Sequence, residues 1–384
     1  MTLHVTTTES LAEVCAQDWD ALLGPDPQPF LTHTFLYGLE RHGCVGESQG
    51  WQPRHLLVQD AGGRLVGATP LYVKTHSYGE LVFDWAWADA YARHGRAYYP
   101  KAVGAVPFTP VSGPRLLVHP DAPTAAVRSR LVAATLAEAH GAGWSGVHWL
   151  FARPDETRLL EREGGFLRVD LQYHWDNPGY ASWEDFLKRL RSKRRKEIRR
   201  ERERVRQQGL AVRVVHGDEA TEADLDAAHA LYAALFDRKY GYPTLTRAFF
   251  RDVGPRLGTG LVLFFAEARG RPVAVAICLR DARSLHGRYW GSAARHDCLH
   301  FELCYYQGIQ YCIEHGLSRF EPGAQGEHKI PRGFLPMPTW SAHWIADPGF
   351  AEALRQWSLR EQAAVLQAYE ALMTASPYRR QGRP

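Results

Sequence analysis

The sequence predicts an α/β protein with mixed α+β sheets, built as two lobes of the same element order. Three observations lead there. Apolar spacing switches repeatedly between a period of two and a period near 3.6. Hairpin turn signals stand at Gly62-Gly63 and Arg269-Gly270, with similar flanks (GRLVGA and GRPVAV). The order strand, two helices, hairpin, helix, strand occurs once in each half. A length of 384 residues suits two domains, and 45% apolar with 23% charged residues is an ordinary globular composition.

In the first half, LHVTTT reads as a strand, and SLAEVCAQDWDALL and THTFLYGLERHG read as helices. RHLLVQD and RLVGATPLYVK form a hairpin, followed by the aromatic-rich DWAWADAYARHG and the Pro/Gly-rich VPFTPVSGPRLLV. A helix from Ala122 to His140, the strand GVHWLF, the short helix PDETRLLERE and the strand FLRVDLQYHW complete it. The turn Asn177-Pro178-Gly179 divides the chain into lobes 1–177 and 178–384. The second lobe opens with a basic helix over 182–208. LAVRVVH then reads as a strand, DLDAAHALYAALFDRKY and TRAFFRDVG as helices, and LVLFFAEA with PVAVAICLR as a hairpin. LHGRYWG, a helix over FELCYYQGIQYCIEHG, the strand LSRFE, the polar loop PGAQGEHKIPRGF, the closing strand TWSAHWI and a C-terminal helix follow.

Charge is unevenly spread. Residues 188–206 hold 12 basic and 3 acidic side chains, a local +9 in a chain of net +4, so the other 365 residues sum to −5. Such a helix attracts a polyanion by counterion release, and RNA and an anionic membrane fit equally; a solvated amphipathic helix is the alternative. No apolar run approaches the ~18 residues of a membrane span. MTLHVTTTES has no basic region followed by an apolar core, so a cytoplasmic protein without a signal peptide is expected. The six cysteines contain no C-x-x-C pair, and neither a disulfide framework nor a metal site is expected.

Seven blocks carry a resemblance: GWQPRHLLV (50–58), PLYVKTHSYGELVFDWAWADAY (70–91), YYPKAVGAVPFTPVSGPRLL (98–117), SKRRKEIRRERERV (192–205), GRYWGS (287–292), HFELCYYQGIQYCIEHGL (300–317) and GAQGEHKIPRGFLP (323–336). In these the chain resembles the FemAB-like family, described as peptidoglycan biosynthesis or recognition proteins, within the GNAT acyltransferase superfamily. The resemblance implies tandem GNAT-like lobes. More distantly the chain is similar to Fem ligases, which move an amino acid from aminoacyl-tRNA to an amine of a peptidoglycan precursor. Acetyl-CoA-binding GNAT enzymes carry a [QR]-x-x-G-x-[GA] loop, and neither TPVSGPRLLVHPDAPTAAV nor WGSAARHDCLHFEL fits it. The expectation is therefore acyl transfer from aminoacyl-tRNA or acyl-CoA, used as a co-substrate with no tightly bound cofactor, to a small-molecule or peptide amine. A non-catalytic module that recognises a cell-wall precursor or another anionic ligand is the alternative.

Amine acylation needs a proton acceptor and donors for the tetrahedral oxyanion. The loop after LSRF offers Glu321 as first base candidate, His328 as second, and Lys329 and Arg332 as charge clamps. Gln325 is a substrate contact, and Gly323 and Gly326 are positions where backbone amides converge on an anion. A metal held by His300, Glu302, Glu321 and His328 has suitable ligand types without diagnostic spacing. An acceptor pocket is expected from Tyr78, Glu80, Asp84, Trp87, Lys101 and Arg115, where charges accompany aromatic rings; a sheet core is the alternative. Further substrate contacts are expected from Arg238, Lys239 and Tyr240 at a helix end, and from Arg288, Tyr289, His300 and Glu302. Lys193, Arg194, Arg195 and Arg199 are the expected anion contacts of the basic helix.

Overall fold

The computed structural model describes residues 2–236, 241–324 and 326–379. By packing, the chain forms two compact units, 1–170 with 338–367, and 171–337 with 368–384. This differs from the expected division at 177: residues 338–367, counted with the second lobe from sequence order, pack with the first unit.

The first unit holds β1 (His4–Thr8), β2 (Trp51–Pro53), β3 (His55–Gln59), β4 (Leu65–Thr69), β5 (Leu71–Lys74), β6 (Lys101–Gly104), β7 (Leu117–Val118) and β8 (Gly146–Trp149). β1, β3, β4 and β7 form one antiparallel sheet. β2, β5 and β6 pair antiparallel, and β6 runs parallel to β8. The expected single strand RLVGATPLYVK is thus two strands in two sheets. They part at Pro70, which has no N–H to give a ladder. The first expected helix is likewise broken, into a 3-10 turn Leu11–Glu13 and a helix Ala16–Ala21. The helix Thr124–Ala142 covers the sheets with Val127, Leu131 and Val132, and Trp149 and Leu56 complete that core. The aromatic-rich segment is a helix, Trp85–Arg93, whose Trp87 and Tyr91 are buried with Tyr98 and Phe166.

β9 (Phe166–Asp176) carries the chain from the first unit into the second, where β10 (Leu210–His216), β11 (Leu261–Ala268), β12 (Arg271–Arg280), β13 (Ser284–Ser292) and β14 (Arg319–Glu321) follow. β15 (Leu335–Ile345) returns to the first unit, where Ala342–Ile345 pairs antiparallel with β8. In the second unit β10 to β13 form an antiparallel meander, then β14 lies parallel to β13 and antiparallel to the end of β9. This is the GNAT-like order, and the fold is that of mixed α/β GNAT-like lobes. Two irregularities shape it. Arg288 is the extra residue of a bulge, since Tyr289 faces Ile277 while Gly287 faces Cys278. The parallel pairing ends at His286–Glu321, after which the chain turns away at Pro322. A Cβ on Gly287 would lie 3.1 Å from the Pro322 Cα, so any larger residue there needs the Pro322 backbone to give by a few tenths of an ångström. The crossover from β13 to β14 is helical over 299–314, with a π-turn at Glu302–Tyr306.

Candidate active site

The strongest chemistry lies in the second unit, at the end of β14 and in the loop beyond it. Glu321 is buried on β14, and parallel pairing sets it opposite His286 on β13. His286 Nδ1 is 3.2 Å from Glu321 Oε2, and its Nε2 is 3.2 Å from Asp281 Oδ2. Asp281 is held in turn by the amides of Arg283 and Ser284. Burial opposes every charge here, but the two carboxylates outweigh it at the imidazole and push His286 up to about 9. Burial likewise raises Glu321, yet His286 beside it, with His174 and Arg319, brings it down to about 2. A carboxylate so stabilised is a poor proton acceptor. The expected base is therefore corrected to one arm of a buried Asp281–His286–Glu321 ion group that ties two strands together.

The loop contains a 3-10 turn, Glu327–Arg332, that places three cationic or imidazole side chains close together. Lys329 is buried, and among the described residues its Nζ donates to the carbonyls of Gly323 at 2.6 Å and Ala324 at 3.3 Å. With no carboxylate among the described residues to offset burial, its ammonium is pushed down to about 8. The Gly323 and Ala324 carbonyls thus face the lysine. Gly326 is required: its φ is +114°, and a Cβ would lie 2.4 Å from the His328 ring. His328 Nε2 is 2.8 Å from the Tyr305 hydroxyl, and burial with Lys329 and Arg332 nearby keeps its pKa below the ordinary value.

Arg332 is fixed from all sides. Its guanidinium donates to both oxygens of Glu201, to the Tyr306 hydroxyl and to the His328 carbonyl, and it lies 3.5 Å from the Phe301 ring centre. Glu302 is equally committed, receiving Arg202 at 2.9 Å and Gln307 at 2.7 Å. Glu201 and Arg202 come from the basic helix (Ser192–Gln207), which buries Ile198 and Val205. One turn of that helix therefore anchors the π-turn and the loop, a role that charge counting along the sequence did not show. His300 packs edge-on to Trp290 and Tyr305, while Arg288 lies 5.1 Å from the Tyr289 ring. Among the described residues no group of three or more His, Cys, Asp or Glu is arranged to hold a metal ion.

Of the expected helix contacts, Lys193 and Arg199 are exposed, with Arg199 on Glu184. Arg194 pairs with Glu197, and Arg195 reaches the Leu190 carbonyl. Lys196, Arg200, Arg204 and Arg206 are exposed as well, so the outward face remains cationic. Arg238, Lys239, Tyr240 and Gln325 lie outside the described residues.

The expected acceptor pocket in the first unit is corrected. Lys101 is wholly buried and donates to Glu80 at 2.8 Å, to Ser77 at 3.0 Å and to Asp84, while Tyr98 donates to Asp84 at 2.6 Å. Burial raises Glu80 to about 7, and Lys101 keeps Asp84 ionised below its ordinary value despite burial. Arg115 is spent on the carbonyls of Leu150, Pro114 and Val111, and Trp87 is in the core. These five are interior. Only Tyr78 of the six is solvent-facing, at 68% exposure, with Trp85 edge-on at 4.9 Å.

Comparison with known proteins gives the family and the fold. The FemAB-like family model, described as peptidoglycan biosynthesis/recognition, matches residues 10–380. The chain belongs to the FemAB-like family. No curated protein sequence matches it. Among solved structures it is similar to FemX (11% identity, 91% of this chain and 100% of that one, TM-score 0.53). It is also similar to L-PGS from Bacillus licheniformis (10% identity, 95% and 98%, TM-score 0.52). A conserved protein of unknown function from Bacteroides thetaiotaomicron matches as well (11% identity, 89% and 100%, TM-score 0.53). At these identities the likeness is one of fold. Among the described residues of this FemAB-like chain, no helix is long and apolar enough to cross a membrane.

Proposed function

We propose that the second unit of this FemAB-like protein transfers an acyl or aminoacyl group from a carrier to an amine, with a cell-wall precursor as acceptor. The observation that carries the reading is Lys329, a buried ammonium satisfied only by two loop carbonyls among the described residues. At about 8 it stays protonated at neutral pH, and among the described residues no carboxylate is paired with it to compete with a developing oxyanion. In the reaction the acceptor nitrogen attacks the carrier's carbonyl carbon and the carbonyl oxygen becomes an oxyanion, which Lys329 stabilises. His328, neutral and hydrogen-bonded to Tyr305, takes a proton from the acceptor's ammonium and so frees the nitrogen lone pair to attack. Collapse breaks the bond to the carrier, whose oxygen or sulfur leaves with the proton returned by His328. Glu321 contributes by holding His286 and the strand end.

The exposed cations of the basic helix suit a carrier or surface rich in phosphate, such as aminoacyl-tRNA or an anionic membrane. A second reading is favoured by the Lys329 tie to its own loop, which leaves the lysine closed on carbonyls: a recognition module that binds the anionic precursor without turnover. Single-turnover assays with charged tRNA and a panel of acyl-CoAs separate the two. Under the transferase reading Lys329→Ala and His328→Gln each slow transfer by ~10²-fold or more. Equal rates in both variants overturn the assignment, and saturable precursor binding with no transfer from any donor selects the recognition reading.

A further inference from the structure

The first unit contains a cavity of about 320 Å³, lined by residues from the 82–86 segment, β9, β15 and the C-terminal helix. Ser341 of β15 lines it. The Ser341 hydroxyl is 2.8 Å from His343 Nε2, and His343 Nδ1 is 2.7 Å from His148 Nδ1. His148 Nε2 is 3.4 Å from the Tyr98 hydroxyl, which donates to Asp84 at 2.6 Å.

Proton accounting gives this chain one direction. A single proton lies between the two Nδ1 atoms, because burial holds both imidazoles neutral, far below their ordinary pKa. Tyr98 has one hydroxyl proton, and the ionised Asp84 takes it. His148 Nε2 must then be the donor to Tyr98, so its Nδ1 is the acceptor and His343 carries the Nδ1 proton. His343 Nε2 is left as a lone pair that accepts from Ser341. The reverse tautomers leave His148 Nε2 facing an oxygen whose proton is already committed. The order is nucleophile, base, orienting group, which is how a serine hydroxyl is activated elsewhere in enzymes.

We propose that Ser341 is a nucleophile toward carboxylic esters with a short apolar acyl group, making the first unit a second acyl-transfer site. Phe83, Ala86, Phe151, Trp340, Trp357 and Val365 make most of the cavity wall apolar, and its volume is roughly ten water volumes at about 30 Å³ each, room for a short acyl chain. Among the described lining residues Arg168 is the one cation, fixed by Glu361 and the Phe83 carbonyl. In the step, the Ser341 Oγ–C bond forms as its proton passes to His343 Nε2, and the carbonyl electron pair moves to oxygen. Collapse breaks the C–O bond to the alcohol, which leaves with the proton from His343. Water then repeats the sequence on the acyl-serine and returns the free hydroxyl. His148, Tyr98 and Asp84 act through His343 and are positioning residues; burial opposes the imidazolium formed in the step, and the ionised Asp84 is the charge that favours it.

The test uses the full chain with p-nitrophenyl acetate and butyrate. A burst of one nitrophenolate per chain is expected, with acyl mass on the peptide that contains Ser341. Ser341→Ala abolishes the burst and His343→Gln slows it by ~10³-fold. Tyr98→Phe lowers kcat for ester turnover and leaves KM unchanged, which a merely structural loss would not do. Wild-type protein that carries no acyl group on Ser341, or a burst that survives in Ser341→Ala, overturns the proposal; because the first readout needs no variant, a misfolded mutant does not shield it.

Discussion

Substituting Glu321 by Gln separates a structural carboxylate from a catalytic one. The displacement of Glu321 from its ordinary 4.5 to about 2 corresponds to about 3 kcal/mol of preference for the carboxylate, at about 1.4 kcal/mol per pH unit. The rise of His286 from 6.5 to about 9 gives a similar figure. Both describe largely the same contact, so they are not added. The signs follow from linkage. Glu321 is depressed, so its contribution is present above about 4.5 and lost as pH falls toward 2. His286 is raised, so its contribution is present below about 6.5 and lost as pH rises through 9. Stability from this group is therefore greatest between roughly pH 4.5 and 6.5 and declines on both sides. Glu321→Gln leaves the Asp281 carboxylate on the imidazole, costs about 3 kcal/mol near pH 6, and flattens the alkaline decline. The assay is urea unfolding from pH 4 to 9.5, with the His286 ring followed by NMR. Unchanged stability at pH 6, or an alkaline slope identical to wild type, refutes the ion-group reasoning. Folded Glu321→Gln should retain transfer, whereas a general base at this position would not.

Two further outcomes test other parts of the structure. A Cβ on Gly291 would lie 2.1 Å from the Leu231 carbonyl oxygen and 2.6 Å from the Tyr232 nitrogen, so Gly291→Ala must push the helix Glu222–Phe236 off β13; a loss of roughly 3 kcal/mol is expected in denaturant titration, and a loss below about 1 would refute the contact. Replacing Lys193, Lys196 and Arg200, which are exposed, with Glu should weaken tRNA binding and lower the slope of log K against log salt by at least about 2; an unaltered slope would place the anion elsewhere.

Local chemistry was legible in the sequence wherever neighbours in the chain decide the outcome. The β11–β12 hairpin, the helix Arg247–Arg256 and the loop after β14 stand where period and punctuation place them, because turn residues and apolar spacing act over a few positions. Seven blocks of residues pointed to the FemAB-like family, and the matched range 10–380 agrees. What the sequence did not determine is which polar groups face each other. Charges interleaved with aromatics in 76–115 read equally as a pocket or a core, and burial of Lys101 against Glu80 and Asp84 decided for the core. Glu321 looked like a base until parallel pairing set it beside His286, 35 positions away, whose positive charge stabilises the ionised carboxylate. Ser341 and His343 show an alternation on one strand, but their partner His148 is 195 positions from His343. A proton affinity depends on desolvation and on charges brought close by folding, so the residue types of this site belong to the sequence and their chemistry to the tertiary structure.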